Sequence, residues 1–320
     1  MRKIIITGGC GFIGSHIAEY FYNKYKNSKI VVYDKITYAA DISYLNSLKN
    51  NKRIKIYKKD ILNFKNLKNV SKNADLMIHA AAESHVDNSF QLNDKFIRTN
   101  VMGTKNVMQV CKENKIKKII HISTDEIYGE IFKGSFNEEH RFNPSNPYSS
   151  SKAAAEMIVN GYIHSYKLPV IIVRANNIFG TRQHPEKLIG GCCWSFLKNK
   201  KFTIHGKGLQ KRSFLYVEDF CKAIDLLCSK GKKFEAYNIG TKFEYKNIEI
   251  VKIIAKQNNK NFYKNTEFVK DRPFNDFRYS INFNKIKKIG WKPKVKVEDK
   301  IFEINNWYKK NLFRFKKRFE

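Results

Sequence analysis

The sequence predicts an α/β fold built on a doubly wound parallel sheet. Short β-branched or apolar runs alternate with longer stretches of helical periodicity, a pattern typical of strands joined by helical crossovers. A glycine cluster separates the first run from the first helical stretch, and an acid ends the second run. The predicted strands are residues 4–7, 29–33, 54–57, 74–79, 118–122 and 170–173, and the predicted helices include 15–25, 101–113 and 151–165.

The 320 residues exceed the roughly 250–300 that one hydrophobic core usually supports, so we expect an additional lobe. After about residue 180 the alternation gives way to longer loops with Gly and Pro. We therefore expect residues 1–180 to form the parallel-sheet domain and residues 181–320 to form mainly a smaller α/β lobe. Later strands from about 214–240 are expected to rejoin the sheet.

Lysine dominates the charge of the chain. The 61 basic residues outnumber the 29 acidic ones, which gives a net charge of +32, and only 11 of the 61 are Arg. Direct reading of nucleic-acid bases favours Arg, so we attribute the scattered Lys to A/T-rich codons and expect no nucleic-acid partner. The six cysteines lack zinc-binding spacing and are expected to be free thiols without a metal. The apolar runs are too short for a signal peptide or a membrane span, so we expect a cytoplasmic protein without a membrane partner.

The first turn has the spacing of a dinucleotide-binding loop. Gly8, Gly11 and Gly14 lie three residues apart between the first predicted strand and helix. Such glycines permit a tight turn and bring a helix N-terminus close to a pyrophosphate. Asp34 lies 34 − 14 = 20 residues further on, where an acid binds the ribose hydroxyls of NAD and repels the 2′-phosphate of NADP. The sequence thus predicts a Rossmann-type sheet with bound NAD, against the alternative of a glycine turn that serves packing alone.

Tyr148 and Lys152 are four residues apart at the start of a predicted helix, so both side chains are expected on one helix face. A phenol with an ordinary pKa near 10 is a poor base at neutral pH. An adjacent ammonium and the positive charge of the nicotinamide stabilise the phenolate. Tyr148 is therefore a candidate to take a proton from a sugar hydroxyl during hydride transfer, and the alternative is a solvated surface pair.

The T-G-G-x-G-F-I-G turn together with the Y-x-x-x-K pair resembles the extended short-chain dehydrogenase/reductase family. Segments 79–87, 123–129, 185–188 and 271–273 resemble the nucleotide-sugar 4,6-dehydratases of that family in particular. The resemblance runs from about residue 3 to about residue 308, with the motifs in family order. It implies a bound NAD that is regenerated in each turnover, and a homodimer in which each subunit contributes two helices.

The resemblance also implies roles for three consecutive residues. Thr124 would orient the C4 hydroxyl of the sugar, Asp125 would protonate the leaving C6 hydroxyl, and Glu126 would remove the C5 proton. Dehydration needs this acid and base, whereas C4 epimerisation only moves a hydride off and back. The implied product is a nucleoside diphosphate 4-keto-6-deoxyglucose. The alternatives are a C4 epimerase, a non-catalytic NAD-binding protein or a nucleic-acid-binding protein, and for the two acids a role as helix caps.

The remaining expectations concern the nucleotide base of the substrate and the binding contacts, and they are mostly implied by the resemblance. Segment 174–181 departs from the usual bacterial pattern at Ile178 and Thr181. Together with segment 271–279 it resembles the eukaryotic and plant enzymes of UDP-rhamnose biosynthesis, which favours UDP-glucose over dTDP-glucose. One methyl group separates the two bases, which a pocket discriminates by only ~1–3 kcal/mol, so we expect that both can be used. The expected NAD contacts are Gly8, Gly11, Phe12, Ile13, Gly14, Asp34, Lys35, Thr37, Asp60, Ile61, Ala80, Ala82, Ser84, Thr99, Tyr148, Lys152 and Ile178. The expected substrate contacts are Ser84, His85, Thr124, Asn177, Lys187, Leu188, Arg212, Asn247, Asp271, Arg272 and Asn275.

Overall fold

The structure, a computed structural model, describes residues 1–48, 51–271 and 274–315. Within these ranges the strands are β1 (Lys3–Thr7), β2 (Lys29–Asp34), β3 (Ile54–Lys58), β4 (Leu76–His79), β5 (Lys118–Thr124), β6 (Val170–Ala175), β7 (Asn177–Phe179), β8 (Phe202–His205), β9 (Lys211–Tyr216), β10 (Ala236–Ile239), β11 (Glu244–Lys246) and β12 (Thr266–Val269). The α-helices are α1 (Phe12–Lys24), α2 (Phe64–Val70), α3 (Val86–Gln91), α4 (Asn93–Phe96), α5 (Gly103–Glu113), α6 (Pro147–Tyr166), α7 (Leu188–Leu197), α8 (Val217–Lys230), α9 (Asn247–Gln257), α10 (Phe262–Asn265), α11 (Asn284–Lys288) and α12 (Val297–Asn311). Short 3-10 helices occupy Ile42–Leu48, Asp125–Tyr128 and Leu312–Phe315, and a π-helical stretch, Ile97–Met102, joins α4 to α5.

The central sheet has the strand order β10-β6-β5-β4-β1-β2-β3, and each neighbouring pair in it is parallel. This confirms the doubly wound parallel sheet expected from the sequence. Its inner strands are buried on both faces: in β1, Ile4 and Ile6 pack into one core, while Ile5 packs into the core on the opposite face. Burial on both sides explains the apolar runs of β1, β4 and β6, whereas the edge strand β3 is partly exposed and alternates apolar residues with Lys.

The strand order reverses between β1 and β4, since β2 lies on one side of β1 and β4 on the other. In doubly wound sheets the crevice at the carboxyl ends of strands beside such a reversal is where ligands bind. The loops after β1, β2, β4, β5 and β6 all reach this edge because the strands are parallel. The smaller sheets, β11-β9-β7 and β12-β8, come from the chain after β6.

Helix boundaries differ from the sequence expectation at functional positions. The first helix begins at Phe12 rather than at residue 15, directly after the glycine turn. The helix expected at 101–113 starts earlier, at Asn93, and passes through the π-helical stretch. All six cysteines are buried free thiols. Among the described residues, no helix is both long and apolar enough to cross a membrane.

Candidate active site

The glycine turn leaves the N-terminus of α1 open toward the cleft. Gly8 has a φ of +69°, and a Cβ on it would lie 2.7 Å from the backbone of Ala81. A Cβ on Gly14 would lie 2.1 Å from the carbonyl oxygen of Gly8. Gly11 caps the helix without a side-chain hydrogen bond, and the first turn contains no acid. The free N–H groups and helix dipole therefore suit a pyrophosphate, so this turn fits NAD.

Asp34 ends β2 beside this turn, as expected. Its carboxylate accepts hydrogen bonds from the backbone N–H groups of Cys10 at 2.8 Å and Ile36 at 2.7 Å. Burial raises the pKa of Asp34, while these backbone hydrogen bonds lower it. The neighbouring Lys35 forms a 2.8 Å ion pair with Asp60. Lys35 thus pairs with Asp60, while the Asp34 carboxylate lines the cleft beside the glycine turn.

Tyr148 and Lys152 lie in the first turns of α6, both buried. Helix α6 starts at Pro147 and is capped by Asn146, whose Oδ1 accepts the N–H of Ser149 at 2.9 Å. The ammonium of Lys152 donates to the carbonyl oxygen of Ile122 on β5 at 2.8 Å. Burial lowers the pKa of Lys152 to about 8. The chain thus brings the two side chains together on one helix face and ties Lys152 to the sheet.

The protein environment alone does not favour the phenolate of Tyr148. Burial, followed by the charge of Glu126, raises the pKa of Tyr148 well above its ordinary value. A hydrogen bond with Thr124 opposes this change. The protein alone therefore keeps the phenol protonated, and ionisation requires additional positive charge in the cleft.

The two adjacent acids follow β5. Thr124 caps the 3-10 helix Asp125–Tyr128 by accepting the N–H of Glu126 at 3.3 Å. The Asp125 side chain turns away from solvent and accepts a 2.6 Å hydrogen bond from Nδ2 of Asn176. Burial and then the charge of Glu126 raise the pKa of Asp125 to about 7. One acid of the pair is therefore partly protonated at neutral pH, while its neighbour is partly exposed.

A cleft of about 640 Å³ connects the glycine turn with the acid pair. Within the described part of the chain, the expected contacts line this cleft with a single exception, Asp271. The Asp271 carboxylate instead accepts hydrogen bonds from Gln210 and from Asn275, both at 2.8 Å, and so acts on the cleft by holding Asn275. Arg272 lies outside the described residues.

The basic residues expected to bind the diphosphate make other contacts. The guanidinium of Arg212 donates to the carbonyl oxygens of Lys211 and Asp276, each at 2.8 Å. The ammonium of Lys187 donates to the carbonyl oxygen of Ser84 at 2.6 Å, across the cleft. Both side chains line the cleft while they make these contacts.

Two residues that position parts of the cleft, Asn100 and Asn176, have no signal in the sequence. Asn100 lies in the π-helical stretch, where its Nδ2 donates to the carbonyl oxygen of Glu83 at 3.0 Å and to Oγ of Ser151 at 2.8 Å. It therefore ties α6 to the loop after β4, at a type of helix irregularity that is frequent at functional sites. Asn176 was also missed, because a single Asn after a strand matches no catalytic pattern.

The parallel sheet, the glycine turn and the Y-x-x-x-K helix define an extended short-chain dehydrogenase/reductase. The model of the family described as GDP-mannose 4,6 dehydratase matches residues 5–304. The dTDP-D-glucose 4,6-dehydratase of Dictyostelium discoideum is 41% identical, over 97% of this chain and 82% of that protein. The trifunctional enzyme RHM2 of Arabidopsis thaliana, whose name includes UDP-glucose 4,6-dehydratase, is 39% identical over 97% of this chain, which spans 47% of the plant protein.

Among solved structures, the dTDP-glucose 4,6-dehydratase DesIV of Streptomyces venezuelae, crystallised with NAD, superposes with a TM-score of 0.94. It is 32% identical, and the match covers 97% of this chain and 98% of that one. The chain therefore belongs to the GDP-mannose 4,6-dehydratase family, the NAD-dependent nucleotide-sugar 4,6-dehydratases, and is a hydro-lyase.

Proposed function

We propose that the protein converts a nucleoside diphosphate glucose to the nucleoside diphosphate 4-keto-6-deoxyglucose and water. The observation that carries the proposal is the acid pair Asp125 and Glu126, placed in one cleft with Tyr148 and Lys152. An acid with a pKa near neutrality can donate a proton, and an ionised neighbour can accept one. A C4 epimerase has no use for such a pair.

The first step concerns the C4 hydroxyl of the sugar. NAD, when bound, supplies the hydride acceptor for C4 and later the hydride donor for C6. Oη of Tyr148 takes the hydroxyl proton, and the Lys152 ammonium favours the resulting phenolate. Thr124, which is hydrogen-bonded to Tyr148, orients the hydroxyl. The glycine turn and Asp34 would hold the dinucleotide in the same cleft that Tyr148 lines.

The second step removes water. Once C4 is a ketone, the C5 hydrogen is acidic, and the Glu126 carboxylate takes it. Asp125 gives its proton to the C6 oxygen, so that the C6–O bond breaks as the C5–C6 double bond forms. The proton held by Glu126 then returns to C5. Asp125 must therefore be protonated at the start of this step to act as the acid, and Glu126 must be ionised to act as the base.

The nucleotide base is the finer part of the proposal. The departures at Ile178 and Thr181 and the 39% identity to the plant enzyme support UDP-glucose. The Dictyostelium relative supports dTDP-glucose. We propose that UDP-glucose is preferred and that dTDP-glucose is also converted, since one methyl group changes kcat/KM by only about 10–200-fold.

The experiment is a side-by-side incubation of the NAD-loaded protein with UDP-glucose and dTDP-glucose, without added reductant. Mass spectrometry should show a product lighter by one water from each, with the greater kcat/KM for UDP-glucose. An isomer of unchanged mass would contradict the proposal in favour of a C4 epimerase. Absence of any product from both substrates would exclude it.

We further propose a homodimer formed through the helices at one side of the sheet. Leu92, Ile97 and Met102 are about half exposed along the helical stretch that includes α4 and α5, and so is Met157 on the adjacent α6. Neighbouring helices with exposed apolar side chains fit a second copy of the same surface. Light scattering of the purified protein should give twice the mass of the chain, and a monomer would refute this part.

A further inference from the structure

Asn176 lies between β6 and β7, buried against the acid pair. Its Nδ2 donates to Oδ2 of Asp125 at 2.6 Å, and its Oδ1 accepts the backbone N–H of Thr241 at 3.0 Å. A backbone N–H only donates, so the bond from Thr241 decides which end of the amide is the oxygen. The NH₂ group must therefore face Asp125.

The packing around the amide holds it in this position. A Cβ on Gly240 would lie 2.6 Å from Oδ1 of Asn176, so the backbone before Thr241 closes tightly over the oxygen end of the amide. The backbone N–H of Asn176 also donates to the carbonyl oxygen of Ile239 at 3.2 Å. The chain around β10 thus holds both the backbone and the side chain of Asn176.

This amide restricts the proton of Asp125 to one oxygen. The NH₂ group of Asn176 has no lone pair to accept with, so a proton on Oδ2 of Asp125 would face an N–H. The other oxygen, Oδ1, is 3.4 Å from Oγ1 of Thr124. Thr124 is also hydrogen-bonded to Tyr148 and caps Glu126, so Oδ1 lies on the side where the reacting residues meet.

We propose that Asn176 is the positioning residue of the dehydration step, because it keeps the transferable proton of Asp125 on Oδ1, toward the substrate. The inference rests on the proposed function, in which Asp125 is the acid. Among the described residues, the charged or titratable groups that influence Asp125 or are influenced by it are Glu126 beside it, Tyr148 on α6 and Arg212 on β9.

Asn176→Asp reverses the hydrogen-bonding character of this contact and keeps an acceptor for Thr241. Two facing carboxyl groups share a proton, which draws the proton of Asp125 to Oδ2 and away from the substrate. We expect water loss to slow by about 100-fold, the scale of a displaced general acid. Oxidation at C4 depends on Tyr148 and should continue, so bound NADH should accumulate.

Asn176→Ala removes the donor without adding a charge. The hydrogen bond from Asn176 lowers the pKa of Asp125, so its loss should raise that pKa. Dehydration should be slower at its optimum, and its alkaline limb should move to higher pH. A ¹³C NMR titration of the Asp125 carboxyl group in the holoenzyme should show the same upward shift independently of turnover.

Asn238→Ala is the matched control. Asn238 is equally buried on β10, and its Nδ2 donates to the carbonyl oxygens of Phe136 and Asn282 rather than to the acid pair. The control should lose thermal stability and keep the wild-type pH profile.

Three outcomes separate the possibilities. Wild-type rates and a wild-type pH profile in both Asn176 variants would overturn the positioning role. Oxidation and water loss that fall in equal proportion, with no pH shift, would also overturn it. If the wild-type enzyme removed no water from either sugar nucleotide, the proposed function itself would be refuted rather than the positioning role of Asn176.

Discussion

Replacing Asp125 with Asn should make the fold more stable at alkaline pH while it stops dehydration. The amide oxygen can accept from Asn176, and the amide nitrogen can donate toward Thr124. The variant thus copies the hydrogen bonds of the protonated acid and removes its ionisation. Burial and the charge of Glu126 raise the pKa of Asp125 from 3.8 to about 7, so the carboxylate is the disfavoured form in the folded protein.

The size of the effect follows from that pKa. The rise of the Asp125 pKa from 3.8 to about 7 corresponds to about 4 kcal/mol at most. The free energy of unfolding is lower by this amount when Asp125 is ionised in the folded protein. Because the pKa of Asp125 is higher in the folded protein than in the unfolded chain, the protonated acid favours the folded state. This stabilisation is fully present below the unfolded pKa and is lost as the pH rises through the folded pKa of about 7. The variant should therefore match the wild type near pH ~4 and be clearly more stable near pH ~8.

Calorimetric melting temperatures across this pH range would measure the difference. The control is Asp75→Asn, because backbone hydrogen bonds from Arg2 and Lys3 hold the pKa of Asp75 below its usual value. Loss of that carboxylate should lower stability at neutral pH, which is the opposite sign. If the melting-temperature difference between Asp125→Asn and the wild type were the same at pH ~4 and pH ~8, the reasoning about a buried acid would be wrong.

Three further changes test the roles of single residues. Tyr148→Phe should reduce C4 oxidation at least about 100-fold, seen as a missing NADH absorbance after addition of sugar nucleotide; a wild-type signal would exclude Tyr148 from the proton transfer. Glu126→Gln should permit C4 oxidation and block removal of the C5 proton, so NADH should accumulate without water loss, and unchanged turnover would refute its role as the base. Gly8→Ala places a Cβ 2.7 Å from the backbone of Ala81 at a φ of +69°, which should cost about 1–3 kcal/mol. An unchanged melting temperature without cofactor would contradict that steric argument.

Local patterns carried most of what the sequence predicted correctly. The dinucleotide-binding turn is predicted by glycines spaced three residues apart. Tyr148 and Lys152 share a helix face because an α-helix brings residues four apart together. The parallel sheet followed from the alternation of strand and helix patterns. Each of these inferences depends on geometry within one or two elements of the chain.

Contacts between distant segments could not be predicted from the sequence. Asn176 meets Asp125 from 51 residues away and Thr241 from 65 residues away, and no spacing rule connects such positions. Arg212 likewise donates to the carbonyl oxygen of Asp276, 64 residues further on, and no sequence pattern indicates that contact. The raised pKa of Tyr148 has the same origin, because burial depends on every segment that covers the side chain.

The position of β10 in the central sheet affects how the chain can fold during synthesis. The chain leaves this sheet after β6, builds the small sheet strands β7, β8 and β9, and returns at Ala236–Ile239 to pair with β6. A nascent chain that has emerged only to about residue 180 presents β6 as a bare edge, which is open to pairing with foreign strands. The glycine turn and α6 can assemble at that stage, but Thr241, which orients Asn176, is still missing. Synthesis in this order would make the glycine turn and α6 available before the segment that holds Asn176 against Asp125.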